Sequence, residues 1–188
     1  HHNIITSTVG QGGGIHCRYA FCNLNLVLLH ENGGGNTNLG GGIVQQYGIF
    51  YIIQTTVRNN TASYGGGFAQ QYGESFTSDS VIEGNHASAR GGGISGYSPN
   101  TITAAKMTFS KTVFRYNTAN ALGGGAIAVH SNVLFVGTNL IFLNNRANSN
   151  VGNSIMTTKA AILIPSIVLI NVQISEMVNM YGGDNSDG

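Results

Sequence analysis

The chain has 188 residues, of which 41% are hydrophobic and only 8% charged, with a formal net charge of +1. So weak a charge leaves no electrostatic footprint for nucleic acid or an anionic membrane. The charged fraction lies far below the usual quarter, but recurring Ile, Val and Phe supply a core, which argues against a disordered Gly/Asn-rich tract.

Residues 1–11, with Ile4, Ile5 and Val9, read as an N-terminal partial coil or cap, and the start at His1-His2 without Met reads as a processed or tagged product. From residue 12 the chain repeats itself. Each unit opens with a glycine run closed by an apolar residue, and later carries an Asn with an apolar residue three before it and a small residue two after it. The first unit closes at Ile15 and continues as Leu29-His30-Glu31-Asn32-Gly33-Gly34. The next ones pair Gly40-Gly41-Gly42-Ile43 with Val57 and Asn60, Gly65-Gly66-Gly67-Phe68 with Ile82 and Asn85, and Gly91-Gly92-Gly93-Ile94 with Phe114 and Asn117. The last clear one pairs Gly124-Gly125-Ala126-Ile127 with Phe142 and Asn145, and Gly152-Asn153-Ser154-Ile155 opens a degenerate sixth turn.

Self-similarity on this scale marks a repeat architecture. The four-residue motifs that end in the closing residue start at 12, 40, 65, 91, 124 and 152, giving steps of 28, 25, 26, 33 and 28. The Asn positions step by 28, 25, 32 and 28 from Asn32, so the two landmarks move together, and the long unit carries Ser98-Pro99-Asn100 as a loop insertion. Helices do not tolerate a glycine triplet and a β-branched run in every unit. Short strands between Gly and Asn turns give an all-β fold, a parallel β-helix of about six coils. Residues 12–155 hold five repeats, and 156–188 hold a degenerate last coil and polar tail, whose Asn is either Asn171 or Asn179. The apolar stretch from Ala160 to Val172, broken by Pro165, is too short to span a bilayer, so no transmembrane segment is expected.

The register assigns each column a task. Ile15, Ile43, Phe68, Ile94, Ile127 and Ile155 should stack inward, as should Leu29, Val57, Ile82, Phe114 and Phe142. Asn32, Asn60, Asn85, Asn117 and Asn145 should form a structural ladder of amides, since an unsatisfied buried amide costs about 1–3 kcal/mol. Gly34, Ala62, Ala87, Ala119 and Ala147 leave room for the bend. His30, Arg58, Glu83, Arg115 and Leu143 should face outward. Leu28, Thr56, Val81, Val113 and Ile141 either face outward as a partner surface or are turned inward by a bend. Tyr19, Tyr47 and Tyr72 fall four after the closing residue, with Tyr97 one place off and Gln45-Gln46 over Gln70-Gln71. These tyrosines are candidates for glycan binding by stacking, against plain cross-coil packing.

The pairing of Gly-Gly-[Ala/Gly]-Ile with Phe-x-x-Asn resembles the repeat signature of the chlamydial polymorphic membrane proteins and related microbial surface repeats. The full Phe-x-x-Asn form stands at Phe114–Asn117 and Phe142–Asn145, and Gly-Gly-Ala-Ile at Gly124–Ile127; Leu29, Val57 and Ile82 replace Phe elsewhere. The resemblance covers roughly 12–155 and implies a right-handed β-helix and a role as an adhesin passenger. The membrane barrel of that family has no counterpart here.

Catalysis on a β-helix needs clustered carboxylates. The closest pair, Asp79 and Glu83, should be flanked by Gln54, Arg58, Lys111 and Arg115, which looks like surface electrostatics, so no catalytic residues are assigned and no enzyme is expected. Cys17 and Cys22 are a candidate disulfide. A zinc site from them with His16 and His30 lacks a second Cys-x-x-Cys pair, so neither metal nor cofactor is expected. Asn59-Asn60-Thr61 is a sequon that in a eukaryotic host would place a glycan on Asn59, since the ladder takes Asn60. The expected role is a secreted or cell-surface structural or adhesive scaffold, with self-association, other surface proteins or glycans as partners. The alternatives are a filament subunit stacked end to end and a polysaccharide lyase or hydrolase.

Overall fold

The computed structural model describes residues 10–11, 13–33, 37–98, 105–130, 132–148, 152–158, 166–174 and 182–183. It is all-β, a parallel β-solenoid of about five turns. Among the described residues the strands form four parallel sheets, so each coil has four faces. The second coil shows the plan: Ile43–Gln46 on the first face, Ile49–Ile53 on the second, Thr56–Arg58 on the third and Thr61–Tyr64 on the fourth. The next coil lies in register on all four, with Phe68 on Ile43, Glu74 on Ile49, Val81 on Thr56 and His86 on Thr61. No described helix is long and apolar enough to cross a membrane.

Strands this short need four corners per coil, and each corner is a residue in the left-handed region. At the first corner these are Tyr19, Tyr47 and Tyr72; at the second, Leu26, Gln54, Asp79, Lys111, Asn139 and Asn171; at the third, Glu31, Asn59, Gly84, Tyr116 and Asn144. Side chains rarely adopt that conformation, which costs roughly 1–2 kcal/mol per residue. The inter-coil ladder offsets the cost by running through the corners: Tyr47 N–H donates to Gln71 O at 3.1 Å, Gln54 to Ser78 O at 3.0 Å and Asn59 to Glu83 O at 3.1 Å. At the fourth corner the opening glycine of the run has positive φ, as at Gly65 with 62°, and in the longer approach to Ile127 both Gly123 and Gly124 do. The third glycine meets a different demand. A Cβ on Gly67 would lie 2.8 Å from Gly93 O and 3.0 Å from Asn85 Nδ2, the ladder amide of its own coil. The two landmarks that recur together in the sequence therefore touch across the coil.

The core follows the expected columns. Ile43, Phe68, Ile94 and Ile127 are fully buried, as are Phe114 and Phe142, whose rings stack at 5.0 Å. Ala62, Ala87, Ala119 and Ala147 are buried at the fourth face, while Gly34 lies outside the described residues. Thr56, Val81, Val113 and Ile141 are half-buried and Leu28 is exposed, which places that column on the outside of the third face. The insertion of the long unit falls between the first and second faces, after Ser98. Of the two candidates for the sixth ladder residue, Asn171 is excluded. Ile174 pairs with Phe142, so Asn171 sits one corner earlier, in the column of Asn139. Asn179, the cap at 1–9 and the tail at 184–188 lie outside the described residues.

The ladder itself is continuous from Asn32 to Asn145. Asn32 Nδ2 donates to Asn60 Oδ1 at 3.0 Å, Asn60 Nδ2 to Asn85 Oδ1 at 3.0 Å, Asn85 Nδ2 to Asn117 Oδ1 at 3.1 Å and Asn117 Nδ2 to Asn145 Oδ1 at 3.0 Å. Each Oδ1 also accepts the backbone N–H of the Asn below, as from Asn85 N at 3.1 Å, and Asn117 Nδ2 also reaches Ile82 O at 2.8 Å. Replacing Asn117 by Ala strips partners from Asn85, Asn145 and Ile82 at once in a site with no solvent access. Urea unfolding of Asn117→Ala should show a loss of about 3 kcal/mol. Asn120→Ala, which removes only exposed side-chain bonds, one from Asn148 Nδ2 and one between Asn120 Nδ2 and His86 Nε2, should stay within about 0.5 kcal/mol of the parent.

Candidate functional site

The first face has an unusual outer side. Its inward residues join the core, whereas Val44, Ala69, Ala128 and Met156 are buried yet lie outside the core cluster. The fourth corner explains this. The chain turns back so tightly there that a Cβ on Gly40 would sit 2.5 Å from Val44 Cγ2. The ends of the fourth-face strands, Leu39, Tyr64 and Arg90 in register, thus stand beside the outer side of the first face. Between them lies a cleft of about 390 Å³, bounded on one side by Asn38, Tyr64 and Arg90 and on the other by Gln71, Ser95, Tyr97 and His130.

Arg90 and His130 form the polar end of this cleft. Arg90 Nη1 lies 3.0 Å from His130 Nδ1. A guanidinium only donates, so Nδ1 is the acceptor and the imidazole is neutral. Burial, together with the charge on Arg90, holds the His130 pKa down at about 4, against an ordinary 6.5. Tyr97 meets the ring edge to face at 5.7 Å, and the backbone N–H of His130 donates to Gly96 O at 2.9 Å. The cleft-lining residues include no carboxylate. Arg90 Nε is buried without a hydrogen-bond partner among the described residues.

The sequence reading did not find this site. Arg90 precedes a glycine run and His130 follows an apolar strand, and neither belongs to a repeated column. The available signal was Tyr97, which breaks the tyrosine spacing by one place. The structure separates it from the others: Tyr97 pairs in register with Gln71, in the outward column of the first face. Tyr19, Tyr47 and Tyr72 stack at the first corner, with centroids 4.4 and 4.5 Å apart and planes within 8°. Tyr19 is 66% exposed and lies under the Arg18 guanidinium at 5.1 Å. A second aromatic column, missed in the sequence, runs beside it on the second face from Phe21 through Tyr51 to Phe76.

The remaining candidates are distributed over the molecule. Cys17 and Cys22 form a disulfide across the first corner, so their sulfurs are bonded to each other and the set with His16 and His30 is not a metal site. In the following coils the positions of Cys17 and Cys22 are taken by Gln45 and Phe50, and then by Gln70 and Ser75. Gln45 Nε2 bonds Gly48 O at 3.2 Å, and Ser75 Oγ bonds Gln70 Oε1 at 2.6 Å. Asp79 and Glu83 are engaged on the outside, Glu83 with Arg115 Nε at 2.6 Å and Asp79 with Lys111 at 3.9 Å. Asn59 is exposed at the third corner, whereas Asn60 beside it is fully buried in the ladder.

No family model, no curated protein and no solved structure matches the chain.

The buried His130 makes a pH prediction. Its folded pKa lies below that of the unfolded chain, so as pH falls from 6.5 the unfolded chain takes up the proton first. Stability should fall by up to roughly 3 kcal/mol between pH 6.5 and 4 and level off below. His130→Asn keeps an acceptor for Arg90 without a titrating group. The difference in urea midpoint between this variant and the parent should change over that pH window and be flat above pH 7.

Proposed function

We propose that the protein is a non-enzymatic, extracellular structural and adhesive solenoid, a scaffold that displays an ordered surface. The observation that carries this is the aromatic ladder of exposed Tyr19 and half-buried Tyr47 and Tyr72, set at the repeat of the coils themselves. A rigid row of rings stacked on one another at a spacing near 4.5 Å presents their edges and hydroxyls as a contact strip whose side chains need little further ordering on contact. Beside it, the outer side of the second face offers exposed Phe21, Ile49, Val168 and Ile170. Rings and β-branched side chains on a stiff support suit adhesion to surface proteins or glycans. The Cys17–Cys22 disulfide supports an oxidising, extracellular setting.

The charged groups support the same reading. Asp79 and Glu83 each face a base one coil on, on the outer surface, instead of sharing an enclosed site as an acid and base pair. The repeat resemblance to chlamydial polymorphic membrane proteins points in the same direction.

Beads coated with the protein and exposed to cell monolayers and immobilised glycans should adhere. Tyr47→Ala combined with Tyr72→Ala should reduce adhesion by about tenfold while leaving the melting temperature within a few degrees of the parent. Turnover of a polysaccharide that is lost in Asp79→Asn with Glu83→Gln would replace this reading with an enzymatic one.

A further inference from the structure

The cleft between the fourth-face strand ends and the first face has the chemistry of a ligand site that adhesion by the tyrosine ladder does not use. Four features define it. A guanidinium keeps its charge at every physiological pH, so Arg90 brings a permanent positive charge into the cleft. No carboxylate lines the cleft to balance it. The described acids Glu31, Glu74, Asp79 and Glu83 belong to the second and third faces and their corners, away from Arg90. The one hydrogen bond the Arg90 side chain makes among the described residues is to the neutral ring of His130, which orients the fork without neutralising it. Third, the walls carry hydroxyl and amide groups from Asn38, Tyr64, Gln71, Ser95 and Tyr97. Finally, two of these are aromatic, and Tyr97 is 39% exposed, so a ring face or edge remains available at the mouth. The volume of about 390 Å³ lies in the range of small-molecule sites.

We propose that this cleft binds an acidic saccharide unit, with Arg90 taking the sugar carboxylate and the amides and tyrosines of the walls taking its hydroxyls and apolar face. A planar carboxylate matches the guanidinium fork, and such charge-assisted bonds are about twice as strong as neutral ones. Hydroxyls on a sugar ring complement an array of side-chain amides and phenols, and C–H faces of a sugar pack on aromatic rings. The site does not depend on the adhesive reading above. Loss of adhesion in the Tyr47/Tyr72 variant and loss of ligand in the Arg90 variant report on different faces.

The test is calorimetric titration of the purified chain with D-glucuronate, D-glucose, acetate and inorganic phosphate. D-glucuronate should bind saturably, with D-glucose and acetate each weaker by about tenfold or more, since each carries half of the recognised chemistry. Arg90→Gln should weaken D-glucuronate by about tenfold or more at an unchanged melting temperature. If Arg90→Gln does not fold, Tyr97→Ala, at a partly exposed position outside the core, carries the test and should weaken D-glucuronate by about fivefold. Acetate or phosphate binding as tightly as D-glucuronate would reduce the cleft to a plain anion site and overturn the sugar assignment. Absence of D-glucuronate binding, or full affinity in a folded Arg90→Gln or Tyr97→Ala variant, would overturn the proposal altogether.

Discussion

The structure depends on the satisfaction of one buried side chain per coil. Each ladder Asn stands just after a left-handed corner residue, at the point where the chain turns from the third face into the fourth. Its oxygen takes two donors from the coil before, and its amide spans to the coil after. No shorter or apolar side chain could do both jobs. This fixes the vertical register at one point in every coil, and the short strands on either side inherit it. The third glycine of the runs at Gly42, Gly67 and Gly93 is part of the same arrangement, since a side chain there would press on the amide it faces, and Ala126 takes that place in the next coil.

Much of this was legible because repetition exposes it. A residue that must meet its own kind one coil away recurs at the period of the coil, so Ile43, Phe68 and Ile94, or Asn60, Asn85 and Asn117, declare their columns without a structure. The four-faced cross-section was less visible. The corner residues Gln54, Asp79, Lys111 and Asn139 share a backbone conformation and no chemistry, because what holds them is main-chain hydrogen bonding that any side chain permits. Asn171 stood as one of two candidates for the sixth rung for the same reason: an Asn suits a left-handed corner as well as a ladder. The polar end of the cleft was not legible because it joins residues far apart in sequence, Arg90 and His130, neither of which repeats; only the displaced Tyr97 marked the place.

The first corner shows how loosely chemistry is tied to geometry in such a fold. One coil closes it with a disulfide, the next with a glutamine to backbone bond, and the next with a glutamine to serine bond. The coil with the insertion has Gly96 and Met107 at the equivalent positions, and a Cβ on Gly96 would lie 2.6 Å from Met107 Sδ, so the thioether fills the space the glutamine would take. The same corner carries the tyrosine ladder in three coils and the loop in a fourth. Variation is concentrated there, on the side away from the asparagines, which leaves the register undisturbed.

The amide ladder also has a direction. Backbone bonds between coils run both ways, as Gln54 N–H donates forward to Ser78 O while Val81 N–H donates back to Thr55 O. From one asparagine side chain to the next the amides all donate forward, from Asn32 through to Asn117, while the second N–H of Asn60, Asn85 and Asn117 returns to a backbone carbonyl of the coil before. Aligned amide dipoles polarise one another along such a row, so the column is vectorial, oxygen-tipped toward the N-terminal coils and nitrogen-tipped toward the C-terminal ones. An additional rung grafted beyond Asn145 would meet a nitrogen-tipped template, and would seat only if it brought an acceptor to that point.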